Sequence, residues 1–350
     1  MYKPTTSIPV GILGATGSVG QKFIELLDGH PWFKITALAA SERSAGKIYK
    51  HAANWFQEKS LPKRVGNMVV SKCEPNLPCK IVFSGLDAAV AGPIEEAFAE
   101  AGYIVISNAK NHRMSEDVPL LVPDVNPDHL ALIEKQKLPG KIVTNPNCST
   151  TGLVVALKPL DDAFGIDKVS VVTMQALSGA GYPGVSSLDI LDNMIPYIGG
   201  EEEKMQVEVL KILGELTEDK VEFSDLTLSA SCNRVPVVNG HTESVSISFK
   251  KKVKRDEVLK VWQEYISEPQ KLDLPFAPQP PIYYFDDPRF PQPRLHRDLG
   301  NGMAVSIGRL RECTIFDYKF TVLSHNTIRG AAGGAILNAE LLVAKGYYED

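Results

Sequence analysis

Along the chain to about residue 145, short apolar runs of β type alternate with amphipathic helical stretches, the pattern of a parallel sheet with crossover helices. Ile8–Leu13, Phe33–Ala39, Ile81–Ser84, Tyr103–Ser107 and Lys141–Thr144 read as strands. Ser18–Leu27, a stretch near Ile94–Ala101 and another near Asp128–Lys135 read as helices. Beyond Cys148 the texture changes: a helix from about Thr150 to Phe164 leads to strand-like Lys168–Gln175, Leu226–Ser231, Thr242–Phe249 and Asp317–Leu323. TESVSISF alternates strictly, as a half-buried antiparallel strand does. Thr327–Lys345 reads as one long, Ala-rich helix returning to the first domain. The expected fold is α/β: a parallel-sheet domain of residues 1–147 plus 327–350, and an α+β domain of residues 148–326 with a mixed, largely antiparallel sheet.

Composition narrows the function. The 350 residues suit about two domains at roughly 150 residues each. With 44% hydrophobic and 23% charged residues, the chain is an ordinary globular one. Its 37 basic against 42 acidic residues leave a net charge of −5, which argues against a nucleic-acid partner. Cys73, Cys79, Cys148, Cys232 and Cys313 are scattered and odd in number, so neither a disulfide framework nor a zinc motif is indicated and no metal is expected. The reading is a cytoplasmic protein with no secretion signal and no membrane span. KKKVKR at Lys250–Arg255 reads as a solvated turn, and the proline-dense Phe276–Pro293 as an ordered loop packed on the protein.

VGILGATGSVGQ sets Gly11, Gly14, Gly17 and Gly20 three apart between a strand and a helix. Glycines there let the backbone approach a pyrophosphate, whose charge meets free N–H groups at the helix start. The alternative is a tight turn with no ligand; the strand-turn-helix context favours a Rossmann-like nucleotide site. Gly14, Thr16, Gly17, Ser18 and Val19 are the candidate contacts, with Ser84 and Gly85 at the end of a neighbouring strand. The second strand ends in AASERSAGK, where Ser41, Arg43, Ser44 and Lys47 suit a 2′-phosphate, although Glu42 stands against it. NADP is favoured over NAD.

In TNPNCSTTGLVVALKPL, Cys148 falls at or just before a helix N-terminus, where the dipole and free N–H groups favour a thiolate. The other four cysteines read as small buried hydrophobes. A thiolate beside a nicotinamide site suggests aldehyde oxidation through a thiohemiacetal and a thioester.

GATGSVGQ, NPNCSTTG, QALSGAGYPG, GGEEEKM, NRVPVVNGHTES and SHNTIRGAAGG, in this order, resemble the aspartate-β-semialdehyde dehydrogenases, nearest to their archaeal and fungal branch. The resemblance runs from Val10 to about Gly334. It implies that Cys148 attacks the aldehyde carbon, that His241 accepts and returns the proton, and that Arg234 clamps the α-carboxylate. Gln175 would orient the substrate, Glu201 meet its ammonium and Lys204 the phosphate, with Glu202 an alternative to Glu201. Asn111 and Arg113 take the place of a phosphate-binding segment; Ser178, Gly179, Ala180 and Gly181 would lie near the nicotinamide, and Asn326 would contact its amide.

The implied reaction is NADP-dependent and reversible, between L-4-aspartyl phosphate and L-aspartate 4-semialdehyde with inorganic phosphate. It feeds lysine, methionine and threonine synthesis, and the implied assembly is a homodimer or homotetramer. Malonyl-CoA reductase, on a similar scaffold, is the alternative enzyme, against which Arg113 and Lys204 favour phosphate. A catalytically silent NADP-binding sensor is disfavoured by the intact Cys148, Gln175, Arg234 and His241.

Overall fold

The computed structural model describes residues 3–218 and 220–348. Residues 1–2, 219 and 349–350, which the expected domains include, lie outside the described residues. Six strands, β1 (Ile8–Leu13), β2 (Phe33–Ala40), β3 (Ser71–Lys72), β4 (Ile81–Ser84), β5 (Ile104–Ser107) and β6 (Lys141–Thr144), form an all-parallel sheet in the order β3-β2-β1-β4-β5-β6. Every residue of IVFS in β4 and IVIS in β5 is buried, as in a sheet covered on both faces. Strand order reverses between β1 and β4, and such a switch point opens a crevice at the carboxyl ends of the strands. The Gly14–Gly17 turn lies there.

A second sheet combines β7 (Ile166–Gln175), β10 (Thr227–Arg234), β11 (His241–Phe249), β12 (Ile282–Phe285), β13 (Val305–Glu312) and β14 (Tyr318–Ser324) in the order β10-β7-β11-β14-β13-β12. β10 and β12 pair parallel to their neighbours and the three inner pairings are antiparallel. β8 (Glu215–Leu216) and β9 (Val221–Glu222) make a separate ribbon. The Cys148–Phe164 helix lays Leu153, Val154, Leu157 and Leu160 into one core with Val171, Val245, Phe320 and Val322 of this sheet. Trp262 closes that core and donates its indole N–H to Ala156 O at 2.9 Å.

Three expectations change. Pro127–Lys135 is a tight 3₁₀ helix, not an α-helix. β12 and β13 were not foreseen, and β12 shows that the proline-dense segment includes an edge strand. The terminal stretch is not one helix: Ile328–Ala332 forms a widened turn with Ala331 at φ −147°, ψ −105°, and a regular helix runs only over Gly333–Ala344. That helix is buried on all sides, with Glu340 bonded to His30 and to Phe276 N, and its apolar residues share a core with β1 and the Ser18–Leu27 helix. The two cores also exchange segments across residue 147, since Leu120, Val122 and Val125 pack with the second sheet and Leu274 and Met303 with the first.

Arg329 in the widened turn forms a fully buried ion pair with Asp124, which also accepts from Ser267 Oγ at 3.0 Å and Gln270 Nε2 at 2.8 Å. Removing one partner of such a pair costs about 3–5 kcal/mol, because the other charge is stranded. The network holds the terminal turn against the second domain, next to Cys148.

Candidate active site

Cys148 opens its helix at the first position, two residues earlier than the expected start at Thr150. Asn147 is the cap: its side-chain oxygen accepts from Ser149 N at 2.9 Å and Thr150 N at 3.5 Å, satisfying two amides that the helix leaves free. Cys148 Sγ lies 3.2 Å from His241 Nε2. β11 begins at His241 directly after Gly240, and the other ring nitrogen, Nδ1, accepts from Ala176 N at 3.0 Å. Burial of His241, with Arg234 and His325 nearby, lowers its pKa to about 3.

The sulfur does not behave as the helix dipole alone predicts. Burial, assisted by the Glu201 carboxylate, raises the Cys148 pKa to about 12, with Arg234 and Arg113 opposing. Desolvation and a nearby anion outweigh partial charges at the helix end, so the resting sulfur is a thiol. The same cause raises Cys79 to about 12 and Cys232 to about 11.

The Glu201–Ile212 helix lies beside this pair. Glu201 Oε2 accepts from Asn147 Nδ2 at 2.7 Å and is 3.5 Å from Gln175 Nε2, while Oε1 accepts from Lys204 Nζ at 2.7 Å. Glu202 instead turns to β10, where it accepts from Cys232 N at 2.9 Å, so Glu201 is the carboxylate facing the site. Arg234, at the end of β10, is buried and donates to Ala176 O at 2.7 Å. Gln175 is buried at the end of the adjoining β7, and Val235 N bonds its carbonyl.

Two groups that no sequence motif singles out support the site from behind. Glu208, one turn beyond Lys204 and 2% exposed, accepts from Arg113 Nη1 at 2.8 Å with Oε1 and from Asn147 N at 2.7 Å with Oε2. Lys211, with its pKa lowered by burial to about 8, donates to the carbonyls of Arg113, Ser115 and Val118. The signal was present in the sequence: Glu201, Lys204, Glu208 and Lys211 recur at helical spacing beside apolar Met205, Val209 and Ile212.

A cavity of about 630 Å³ between the two sheets ends at Cys148. Ser18 and Val19 line it on the nucleotide side, Arg113 and Asn147 beside the sulfur, and Ser178, Gly179 and Asn326 opposite. Asn326 has both ends of its amide engaged, accepting from Gly240 N and donating to Ser178 Oγ, each at 2.8 Å. Gln175, Glu201, Lys204, Arg234 and His241 stand behind the lining, tied to it by the bonds above. Asn111 is not brought to the cavity: it is exposed and donates to Ala88 O at 3.0 Å. Ser84 is fully buried with its hydroxyl turned toward Glu95, so its side chain is not offered to a ligand.

The nucleotide turn fits a pyrophosphate. Gly14 has φ +73°, and a Cβ there would meet Gly85 O at 2.7 Å, so only glycine leaves the backbone open at this crossing. Gly17 N closes the turn on Gly14 O at 3.0 Å, and the helix begins at Ser18 with no side chain capping its first amides. Ser41, Arg43 and Ser44 sit in an exposed turn just after β2. No helix of the described residues is long and apolar enough to cross a membrane, and among them no cluster of three His, Cys, Asp or Glu suits a metal.

A nucleotide-binding parallel sheet joined to a mixed-sheet domain that carries a Cys–His pair is the arrangement of a nicotinamide-dependent dehydrogenase working through cysteine. Family models for the semialdehyde dehydrogenase NAD binding domain and dimerisation domain match residues 9–133 and 157–329. The chain belongs to the aspartate-semialdehyde dehydrogenase family. It is 55% identical to the Schizosaccharomyces pombe aspartate-semialdehyde dehydrogenase, over 96% of this chain and 98% of the relative. Against the Archaeoglobus fulgidus aspartate-semialdehyde dehydrogenase it is 51% identical, covering 95% and 97% of the two chains. The crystal structure of the Candida albicans enzyme with NADP superposes with a TM-score of 0.91 at 48% identity, covering 98% of this chain and all of that one. The matched dimerisation domain marks a homo-oligomer.

Proposed function

We propose that this chain catalyses NADP-dependent interconversion of L-4-aspartyl phosphate with L-aspartate 4-semialdehyde and inorganic phosphate through a thioester on Cys148. The observation that carries the reading is the 3.2 Å approach of Cys148 Sγ to His241 Nε2 at the end of a cavity walled by Arg113 and Asn147. In the reductive direction the sulfur attacks the acyl carbon and phosphate leaves, giving the thioester. When bound, the nicotinamide cofactor supplies the hydride that converts this thioester to the aldehyde. Arg113 and Lys204 balance the phosphate charge, Arg234 holds the α-carboxylate, and Glu201, aided by Gln175, holds the ammonium. His241 holds a hydrogen bond to the sulfur at the reacting centre, and Ser178, Gly179 and Asn326 shape the nicotinamide end of the cavity.

Gly14, Thr16, Gly17, Ser18, Val19 and Gly85 cradle the pyrophosphate, and Ser41, Arg43 and Ser44 read the 2′-phosphate. Residues 1–147 with 327–350 serve the cofactor and 148–326 serve catalysis and subunit contact, in a cytoplasmic homodimer or homotetramer. Arg113 in the lining with Cys148 supports a phosphate leaving group over a coenzyme A thiolate, whose own phosphates lie far from its sulfur. The test is Cys148→Ser, which should abolish phosphate-dependent NADP reduction with aspartate semialdehyde while NADP still binds; retained turnover would refute the thioester route.

A further inference from the structure

A backbone amide can only donate a hydrogen bond. Ala176 N–H points at His241 Nδ1 across 3.0 Å, so that nitrogen must present a lone pair. The proton of a neutral imidazole is then on Nε2, the nitrogen 3.2 Å from Cys148 Sγ. We infer that the Ala176 amide is a positioning group that locks His241 in the Nε2–H tautomer, making the ring a hydrogen-bond donor to the Cys148 sulfur in the resting enzyme. The inference rests on the reading of Cys148 and His241 as the reacting pair.

Surrounding groups reinforce the lock. Ala176 is fully buried, so water does not compete for its N–H. Its carbonyl accepts from Arg234 Nη1 at 2.7 Å, and Leu177 N is held by Val237 O at 2.7 Å, which fixes the peptide on both sides. The cationic Arg234 beside the ring and the burial of His241 both disfavour the imidazolium, the form that would carry protons on both nitrogens. Nε2 therefore has no lone pair with which to take the thiol proton. For His241 to accept that proton the Ala176 bond would first have to break; with the bond intact the proton passes to water in the cavity that Cys148 lines, and Nε2–H stabilises the thiolate left behind. A neutral imidazole polarising a reacting group is an established enzymatic device in other folds.

The experiment is ¹⁵N NMR of the full-length protein labelled at histidine, across neutral pH, with no substrate or cofactor. The expected spectrum has a His241 Nδ1 resonance in the unprotonated range and an Nε2 resonance coupled to a proton, with no titration near pH 6.5; assignment uses loss of the signals in His241→Ala. An Nδ1–H tautomer or an imidazolium at pH 7 would overturn the inference. The hydrogen bond itself gives a second readout: uniformly ¹⁵N-labelled protein should show a scalar coupling between Ala176 N and His241 Nδ1 across it. Its absence, with Nδ1 instead coupled to a proton of its own, would remove Ala176 from the role. Failure of turnover with aspartyl phosphate would refute the proposed reaction and leave this spectrum as it is.

Discussion

Glu208 and Arg113 form a buried ion pair at 2.8 Å, and the second oxygen of the same carboxylate takes the amide N–H of Asn147, the residue before Cys148. One side chain thus sets both the guanidinium assigned to phosphate and the cap of the cysteine helix. Supporting groups of this kind decide how exactly placed the contacting residues are.

Glu208→Gln keeps the size and one acceptor but removes the charge opposite Arg113. A hydrogen bond to a charged group contributes about 1.5–3 kcal/mol, so KM for phosphate should rise roughly tenfold to a hundredfold. NADP affinity should stay near wild type. Steady-state kinetics with phosphate varied check this, and an unchanged phosphate KM would detach Glu208 from the phosphate site.

The thiol of Cys148 should resist alkylation at ordinary pH. With a pKa pushed up to about 12, its rate with iodoacetamide should climb about tenfold per pH unit through pH 9 without levelling. The sign follows from the neutral form being favoured: each step up in pH adds thiolate that burial and Glu201 suppress. Glu201→Gln removes the anion and should speed alkylation at fixed pH. A plateau by pH 8 in the wild-type enzyme would show a thiolate already present.

Gly179 packs against the pair so closely that a Cβ would sit 2.8 Å from Arg234 Nη1 and 3.1 Å from His241 Cε1. Gly179→Ala should therefore displace one of these groups and lower kcat/KM by about a hundredfold, the order expected of a misplacement near 1 Å. Tm should change little, because Gly179 lies in a short surface turn, Leu177–Ala180, with none of its residues buried. Near-normal kcat/KM would mean that the turn yields.

Arg43→Ala should weaken NADP by roughly tenfold or more while leaving NAD little changed, since only NADP carries the phosphate that a guanidinium would hold. Titration calorimetry with both nucleotides distinguishes the outcomes, and equal losses would assign Arg43 elsewhere.

Much of this site was legible in the sequence because its signals are local. NPNCST announces a capped helix start, and the structure puts Cys148 one residue past the Asn147 cap. GATGSVG announces a strand-turn-helix, and the turn lies where the strand order reverses. What escaped depends on long-range approach. Ala176 acts through a backbone N–H, which no side-chain pattern marks, and Glu208 reaches Arg113 across 95 positions of chain. β13 escaped for a different reason: its pairing with β14 shifts between Gly308 and Arg311, and Arg309 takes φ 62°, which breaks the alternation that marks a strand. The depressed cysteine pKa expected from the helix end was reversed by burial, a quantity that local sequence does not carry.

The proposed reaction at Cys148 requires an acyl phosphate as substrate. The direct measurement is NADPH oxidation by the purified protein with L-4-aspartyl phosphate in one assay and malonyl-CoA in another. Rapid turnover of aspartyl phosphate, with stoichiometric release of inorganic phosphate, is the predicted result. Turnover of malonyl-CoA alone would contradict it.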